Sequence, residues 1–330
     1  MIYVNKLAIF LILTVIVTIM FLFSGCVHIV QTYNVATSVS AGAWPVSISV
    51  NPTTNLIYVA NYWNNNVSVI DGSNNIATAT ISVGNGPEGV CVDPTTNMIY
   101  VTNWEDNTVD AIDGSNNSVV STISVGNGPE GICVNSTTNM IYVANEDDNT
   151  ITVIDGNDDV ATATISVGEE PFGVCVNPDT NMIYVANYGN NTVSVINGSD
   201  NAVVATVDVG KGAWGIDVDP STNMVYVTNY LDNTVSVING NDNSVVSTIT
   251  VGKGPEGVSV NQTTNTIYVT NYWDNTVSVI NGNNDSIVTT IPVGKEPKAV
   301  SANSQTNETY VANYLDGTVS VIFFIEPSSE

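Results

Sequence analysis

Along most of this chain, apolar and polar residues alternate with the two-residue period of β-strands, in short runs broken by clusters of Asn, Asp, Gly, Thr and Pro. The helical spacing of apolar residues three and four apart does not occur in these runs. Residues 87–126 show the pattern once through: GVCV reads as a strand A, MIYVTN as a strand B, TVDAI as a strand C and VVSTISV as a strand D. The intervening DPTTN, NWEDN and DGSNN supply turns, because Asn, Asp and Gly tolerate the backbone angles that tight turns need.

That stretch is one copy of seven. Tyr58, Tyr100, Tyr142, Tyr184, Tyr226, Tyr268 and Tyr310 follow one another at intervals of 42 residues without an insertion. GPEGVCVDPTTNMIYVTN at 86–103 returns as GPEGICVNSTTNMIYVAN at 128–145 and as GPEGVSVNQTTNTIYVTN at 254–271. Four short antiparallel strands per unit describe one blade of a β-propeller, and seven units predict seven blades. The last copy stops after its strand C, while NVATSVSAG at 34–42 aligns with the strand D segment IATATISVG at 76–84. The N-terminal strand is therefore expected to lie beside residues 318–322, completing the seventh blade and closing the ring, which leaves no interrupted blade with an open edge.

The tetrapeptide Tyr-Val-Thr-Asn stands at 100–103, 226–229 and 268–271. On these letters and their period the units resemble the YVTN family of β-propeller repeats, which is similar to the propeller part of archaeal surface-layer proteins. The resemblance runs from about residue 33 to 323. It implies an all-β, seven-bladed propeller of four-stranded antiparallel blades and a cell-surface setting, and it brings no catalytic residue with it. The chain departs from the larger surface-layer members in leaving no room for additional domains after the propeller. The expected organisation is a signal peptide or membrane anchor over 1–26, a short linker over 27–32, the propeller over 33–323 and a tail over 324–330.

The N-terminal part changes the picture of where the propeller works. Lys6 precedes LAIFLILTVIVTIMFLF at 7–23, an uncharged run long for a signal peptide core and slightly short for a spanning helix. Ser24-Gly25-Cys26 then resembles a lipoprotein cleavage box, although Phe23 stands where that box usually has Leu, Val or Ile. A lipidated Cys26 and an uncleaved hydrophobic anchor helix are both consistent with these residues. Both predict a propeller outside the cytoplasm, tethered to the membrane by its N-terminus.

Charge limits the partners. The chain has a formal charge of −26, from 31 acids and 5 basic residues, all of them Lys. Nucleic acid is excluded as an expected partner, since phosphate binding needs clustered Lys or Arg. The single histidine, His28, lies beside the apolar run, so the propeller has neither His nor Arg. That excludes a Ser-His or metal-His site within it and leaves carboxylates or tyrosines as the only acid–base groups. The expectation is a protein that is not an enzyme.

Cys91, Cys133 and Cys175 occupy one position of strand A in three successive units, where the others have Ser49, Asp217, Ser259 and Ser301. Equivalent positions on neighbouring blades lie roughly 10 Å apart, beyond the roughly 7 Å limit for a disulfide, so small groups packed between blades are expected, with Asp217 held by a structural hydrogen bond. DGNDD at 155–159, NGNDN at 239–243 and NGNNDS at 281–286 offer oxygen ligands, but the same residues are what a hairpin turn demands. No cofactor is expected, with weak calcium binding as the alternative.

The copies diverge chiefly in their aromatics. Trp44, Trp63, Trp104, Trp214 and Trp273 all fall in the D-to-A or B-to-C connections, which share one face of a propeller around the channel. Phe172 belongs with them, as do Tyr62, Tyr188, Tyr230, Tyr272 and Tyr314, the last five expected to pack between blades. Glu88, Glu130, Glu169, Glu170, Glu256 and Glu296 surround them, with Lys211, Lys253 and Lys295 in the later units. Aromatics beside polar groups grip sugar rings and protein partners. The candidate binding face is thus Trp44, Trp63, Trp104, Phe172, Trp214, Trp273, Glu88 and Glu130. Candidate glycosylation acceptors on the opposite face are Asn116, Asn135, Asn197, Asn261, Asn284 and Asn307.

These observations predict a surface interaction module that binds envelope glycan or protein through the aromatic and acidic loops. Two other readings remain: a structural coat subunit acting by lateral assembly, and a lactonase-like or other propeller enzyme.

Overall fold

The computed structural model describes residues 32–325 as seven four-stranded antiparallel sheets arranged as the blades of a propeller. The first blade comprises strand A (Pro45–Asn51), strand B (Leu56–Asn61), strand C (Asn66–Asp71) and strand D (Ile76–Ser82). The same four strands recur from Pro87, Pro129, Pro171, Ala213 and Pro255. The seventh blade takes its first three strands from Pro297–Ala302, Thr309–Asn313 and Thr318–Ile325, and its fourth from the N-terminal Thr32–Ser40. Val35 faces Ile322 and Ser40 faces Thr318 in this closing pair. Its register shift between Val35 and Thr37 matches the bulge at Val69/Ile70 in the first blade, so the borrowed strand reproduces the irregularity of an ordinary strand D. No helix among the described residues is long and apolar enough to cross a membrane. The 7–23 run, Cys26 and His28 lie outside the described residues.

The apolar alternation places each core between blades. In the cluster joining the first two blades, Tyr58, Val67, Val69 and Ile81 pack on Val90, Val92 and Ile99. Six further clusters repeat this at the other six junctions, including Val39 and Tyr310 against Ile48 and Ile57 where the ring closes. The repeated strand B tyrosine is therefore buried because one sheet cannot cover both of its faces without a neighbour on each side.

The polar letters of the repeat are structural as well. Each strand B ends in a fully buried Asn whose Nδ2 donates across the B–C hairpin: Asn145 to Thr150 and Thr152, Asn229 to Thr234 and Ser236. Six of the seven A strands end in Asn or Asp and Asn303 directly follows the seventh, and the Asn side chains reach the next blade. Asn135 donates to Asn181 at 2.7 Å, Asn177 to Asn223 at 2.7 Å, and Asn303 to Asn55 at 2.8 Å, across the junction where the ring closes. The turn Asn residues occupy left-handed backbone, for example Asn55, Asn65 and Asn75 in one blade, which Asn enters more readily than most residues. This accounts for most of the Asn richness.

Two expectations about single residues are met in the geometry. Cys91, Cys133 and Cys175 are free thiols, and burial pushes the Cys91 thiol up to about 12, out of the reactive range. Asp217 accepts hydrogen bonds from the backbone N–H groups of Val218 and Val260, each at 2.8 Å, and burial raises its carboxyl to about 6. Ser49, Ser259 and Ser301 accept the equivalent N–H of the next strand A, from Val92, Ala302 and Val50.

Among the glycosylation candidates, Asn135 and Asn261 are 0% exposed and their amides donate to Asn181 and Asn307. Asn116 and Asn284 are exposed in C-to-D turns, and Asn197 and Asn307 are half-buried. In the acidic loops, Asp155 Oδ1 accepts from Asn157 N and Nδ2, and Asn239 Oδ1 from Asn241 N and Nδ2, so those oxygens serve the turns.

Candidate functional site at the channel mouth

The seven A strands line the channel, and their second residues form a ring at its mouth: Val46, Glu88, Glu130, Phe172, Trp214, Glu256 and Lys298 in chain order. All seven enclose, with their neighbours, a recess of about 150 Å³, in which the aromatic pair stands between Glu130 and Glu256 in ring order. The ring is tight because the next residue is usually Gly. A Cβ on Gly215 would run into the carbonyl oxygen of Glu256, and one on Gly89 into that of Glu130.

Scaffold and ring are linked through the variable third letter of the repeated tetrapeptide. Where it is Thr, the hydroxyl accepts from the backbone N–H of the local glycine and donates to the carbonyl of the next blade's ring residue. Thr102 thus holds Glu130 at 2.7 Å, Thr228 holds Glu256 at 2.7 Å and Thr270 holds Lys298 at 3.2 Å. Where it is Ala, at 60, 144, 186 and 312, the ring residues that follow are Glu88, Phe172, Trp214 and Val46. Three of the four charged ring residues are therefore pinned by an extra hydrogen bond, and none of the apolar ones is.

The ring is electrostatically uneven. Lys298 Nζ reaches across Val46 to Glu88 Oε2 at 3.6 Å and lies 5.7 Å from the Tyr314 ring centre. Burial disfavours its ammonium, yet Glu88, Glu256 and Glu130 together hold its pKa above the usual lysine value. Burial raises Glu256 to about 8, against the lowering effect of Lys298. Burial also raises Glu130 well above the carboxylate range, with Glu88 adding to it. Glu256 is 4% exposed and its Oε2 has no hydrogen-bond partner. At neutral pH the recess thus holds one ion pair and at least one carboxylic acid kept neutral by lack of solvation.

Aromatic residues flank this cluster on two sides. Phe172 stacks on Trp214 at 4.2 Å, with Tyr188 and Tyr230 each 5.5 Å from Trp214. Trp44 packs on Tyr314 at 5.3 Å and on Trp63 at 5.0 Å. Trp44 holds φ 57°, at a position where four other blades have Gly86, Gly128, Gly212 and Gly254 in the same left-handed region. Left-handed backbone is a strained state for a bulky residue. Trp63 and Trp273 are the open tryptophans, 66% and 59% exposed. Trp104 is half-buried, with its indole bonded to Glu146. Tyr62, Tyr230 and Tyr272 bridge adjacent blades through Glu105, Trp273 and Glu296.

The structure thus brings Glu88, Glu130, Phe172 and Trp214 together in the channel mouth, gathers Trp44 and Trp63 beside it, and keeps Trp104 and Trp273 in the surrounding loops. Lys298 and Val46 are not among the residues that composition or motif singles out. The signal for them is the residue before the strand A glycine, compared down all seven copies: with five residue types it is among the variable columns of a repeat that is uniform over most of its length.

Known proteins agree with this architecture. Residues 98–308 match the YNCE-like β-propeller family, and residues 28–159 match the seven-bladed β-propeller lactonase family. A chain of Kuenenia stuttgartiensis hydrazine synthase has the same fold at a TM-score of 0.79, covering 88% of this chain and 97% of that one, with 19% sequence identity. No curated protein matches the sequence significantly. The first match spans more than half of the 330 residues, and the chain belongs to the YNCE-like β-propeller family.

Proposed function

We propose that this chain is a non-catalytic recognition propeller of the cell envelope, tethered outside the membrane by its N-terminus, that binds an envelope component through the channel-mouth face. The observation that carries this reading is where the copies differ. A scaffold of nearly identical blades concentrates its divergent residues, Val46 through Lys298, in one ring, and sets exposed Trp63 and Trp273 around it. Packing needs common to all blades do not require such differences, whereas a bound partner does. The apolar 7–23 run and the resemblance to surface-layer propellers support the envelope setting.

The test is cosedimentation of the purified full-length chain with envelope material from its own source, compared with a Trp63→Ala/Trp273→Ala variant. Both side chains are largely open to solvent, so the variant is expected to fold. A loss of affinity of tenfold or more is expected, and unchanged binding would remove the face from the argument.

One observation favours a second reading. The lactonase-family match, together with a protonated Glu256 inside a recess, fits a hydrolase in which that acid donates a proton to a leaving oxygen. Acid release from a panel of sugar lactones, lost in Glu256→Gln, would establish it.

A further inference from the structure

The recess contains more acid than its own base can neutralise. Glu88, Glu130 and Glu256 face a single ammonium, and that ammonium is engaged by Glu88 at 3.6 Å. Glu130 and Glu256 have no cation of their own. Burying an ionised carboxylate without a partner costs several kcal/mol, so such groups either take up a proton or wait for a positive ligand. Glu256 Oε2 is a buried acceptor with no donor, on a side chain 4% exposed that lines the recess. A buried carboxylate oxygen that has no donor and belongs to the lining of a recess can accept one from a ligand.

The wall between Glu130 and Glu256 limits what that donor can be. Phe172 and Trp214 are stacked at 4.2 Å, and Tyr188 and Tyr230 stand against Trp214. Aromatic rings attract cations through their faces and cover the apolar stem that carries a charged head. An anion would find no free base, because Lys298 is already paired. Among the described residues, no group of three or more His, Cys, Asp or Glu side chains converges as metal ligands would. The recess of about 150 Å³ accommodates a charged head and part of its stem, not a whole sugar or peptide.

From this geometry we infer that the channel mouth is a binding site for an organic cation, an ammonium or guanidinium head that donates to Glu256 and Glu130 while its stem lies on Phe172 and Trp214. The inference rests on the recognition reading and gives it a ligand class. The shared chemistry belongs both to a basic side chain of a partner protein and to a free polyamine.

Protonation adds a signature. A bound cation stabilises the ionised carboxylates and displaces their protons. The groups that set the titration are Lys298, Glu88 and Glu296 around Glu256, and Glu88, Lys298, Glu146 and Glu256 around Glu130, with Tyr314 beside Lys298. With Glu256 raised to about 8, affinity rises by about tenfold per pH unit below that value and levels off above it.

The experiment is titration calorimetry on the purified full-length chain with Nα-acetyl-arginine amide and with spermidine, at pH 6, 7 and 8.5, in two buffers of different ionisation enthalpy. Nα-acetyl-citrulline amide is the neutral control. Binding of either cation with proton release, at least tenfold tighter at pH 8.5 than at pH 6, is expected. The arginine probe alone would assign the site to a partner's side chain, spermidine alone to a free polyamine. A Glu130→Gln/Glu256→Gln variant, whose amides mimic the protonated acids and preserve packing, is expected to lose at least tenfold in affinity at pH 8.5 with an unchanged melting profile at pH 5. No binding of either cation, or equal binding of the citrulline control, overturns the inference. Should that happen while the Trp63/Trp273 pair still governs envelope binding, the recognition reading stands and only the ligand class falls.

Discussion

Glu256 shows how a single residue can be tuned by a fold that repeats everything around it. The equivalent position is Val46 in one blade and Phe172 in another, and only the tight ring of strand A glycines brings them within reach of each other. The stability consequence has a definite sign. The folded pKa of about 8 lies above the usual value of 4.5 for the free acid, so the contribution is fully present below about pH 4.5 and is lost as pH rises through 8. Asp217, raised to about 6, acts in the same direction over a lower window. Chemical denaturation should therefore find the protein more stable at pH 5 than at pH 8. Glu256→Gln should flatten that slope and raise stability at pH 8 by on the order of 2 kcal/mol. Strain gives a second residue-level prediction. Glu170 holds φ 51° where four other blades have Gly, and its exposed side chain makes no hydrogen bond. Glu170→Gly should stabilise the protein by up to about 1 kcal/mol in urea titration.

Strands behave as elements whose equivalence is real but incomplete. The closing strand, Thr32–Ser40, is far from its blade in sequence, and the ring depends on it more than on a strand D held by a short hairpin. Val39 is buried against Ile48 of the first blade, while Ser38 beside it is exposed. Val39→Asp should cost about 3 kcal/mol or more, because it buries a charge with no partner, whereas Ser38→Asp should shift the urea midpoint little. The third letter of the tetrapeptide is a smaller lever of the same kind. Thr228→Ala leaves a residue that other blades tolerate but removes two hydrogen bonds at Gly215 and Glu256, for an expected loss of about 1–2 kcal/mol.

On the scale of the whole molecule, charge is distributed by position in the blade. Of the residues behind the −26 formal charge, nearly all the described ones lie in the loops and inner strands, while the seven outer strands carry one charged residue, Asp208, and expose valines such as Val120, Val204 and Val246. Unpaired strand edges without Lys, and with a single Pro at the end of one of them (Pro292), invite edge-to-edge association, so the rim is where any lateral assembly would form. Lys in place of Val120, Val204 and Val246 should raise the concentration at which the protein self-associates in sedimentation experiments and leave channel-mouth binding unchanged. A coat function would be lost in that variant; a recognition function would not.

The repeat made the scaffold readable from letters alone. A period of 42 residues, strand alternation and a missing final strand were enough to specify seven blades and the closing pair of residues 34–42 with 318–322, because each blade repeats one local code and buries its faces on identical neighbours. The aromatic face was legible in outline for the same reason, since connections that alternate along the chain must share a side. The channel ring was not. Lys298 carries no motif, Glu256 shares its GPEG with Glu88 and Glu130 far along the chain, and their pairing, their shifted protonation and the recess they share with Phe172 and Trp214 arise only when seven inner strands converge on one axis. Sequence therefore determined the blade and its count, through local and nearest-neighbour interactions. Tertiary structure alone decided the site, because ring closure is what places residues from distant copies within a few ångströms and withdraws them from water.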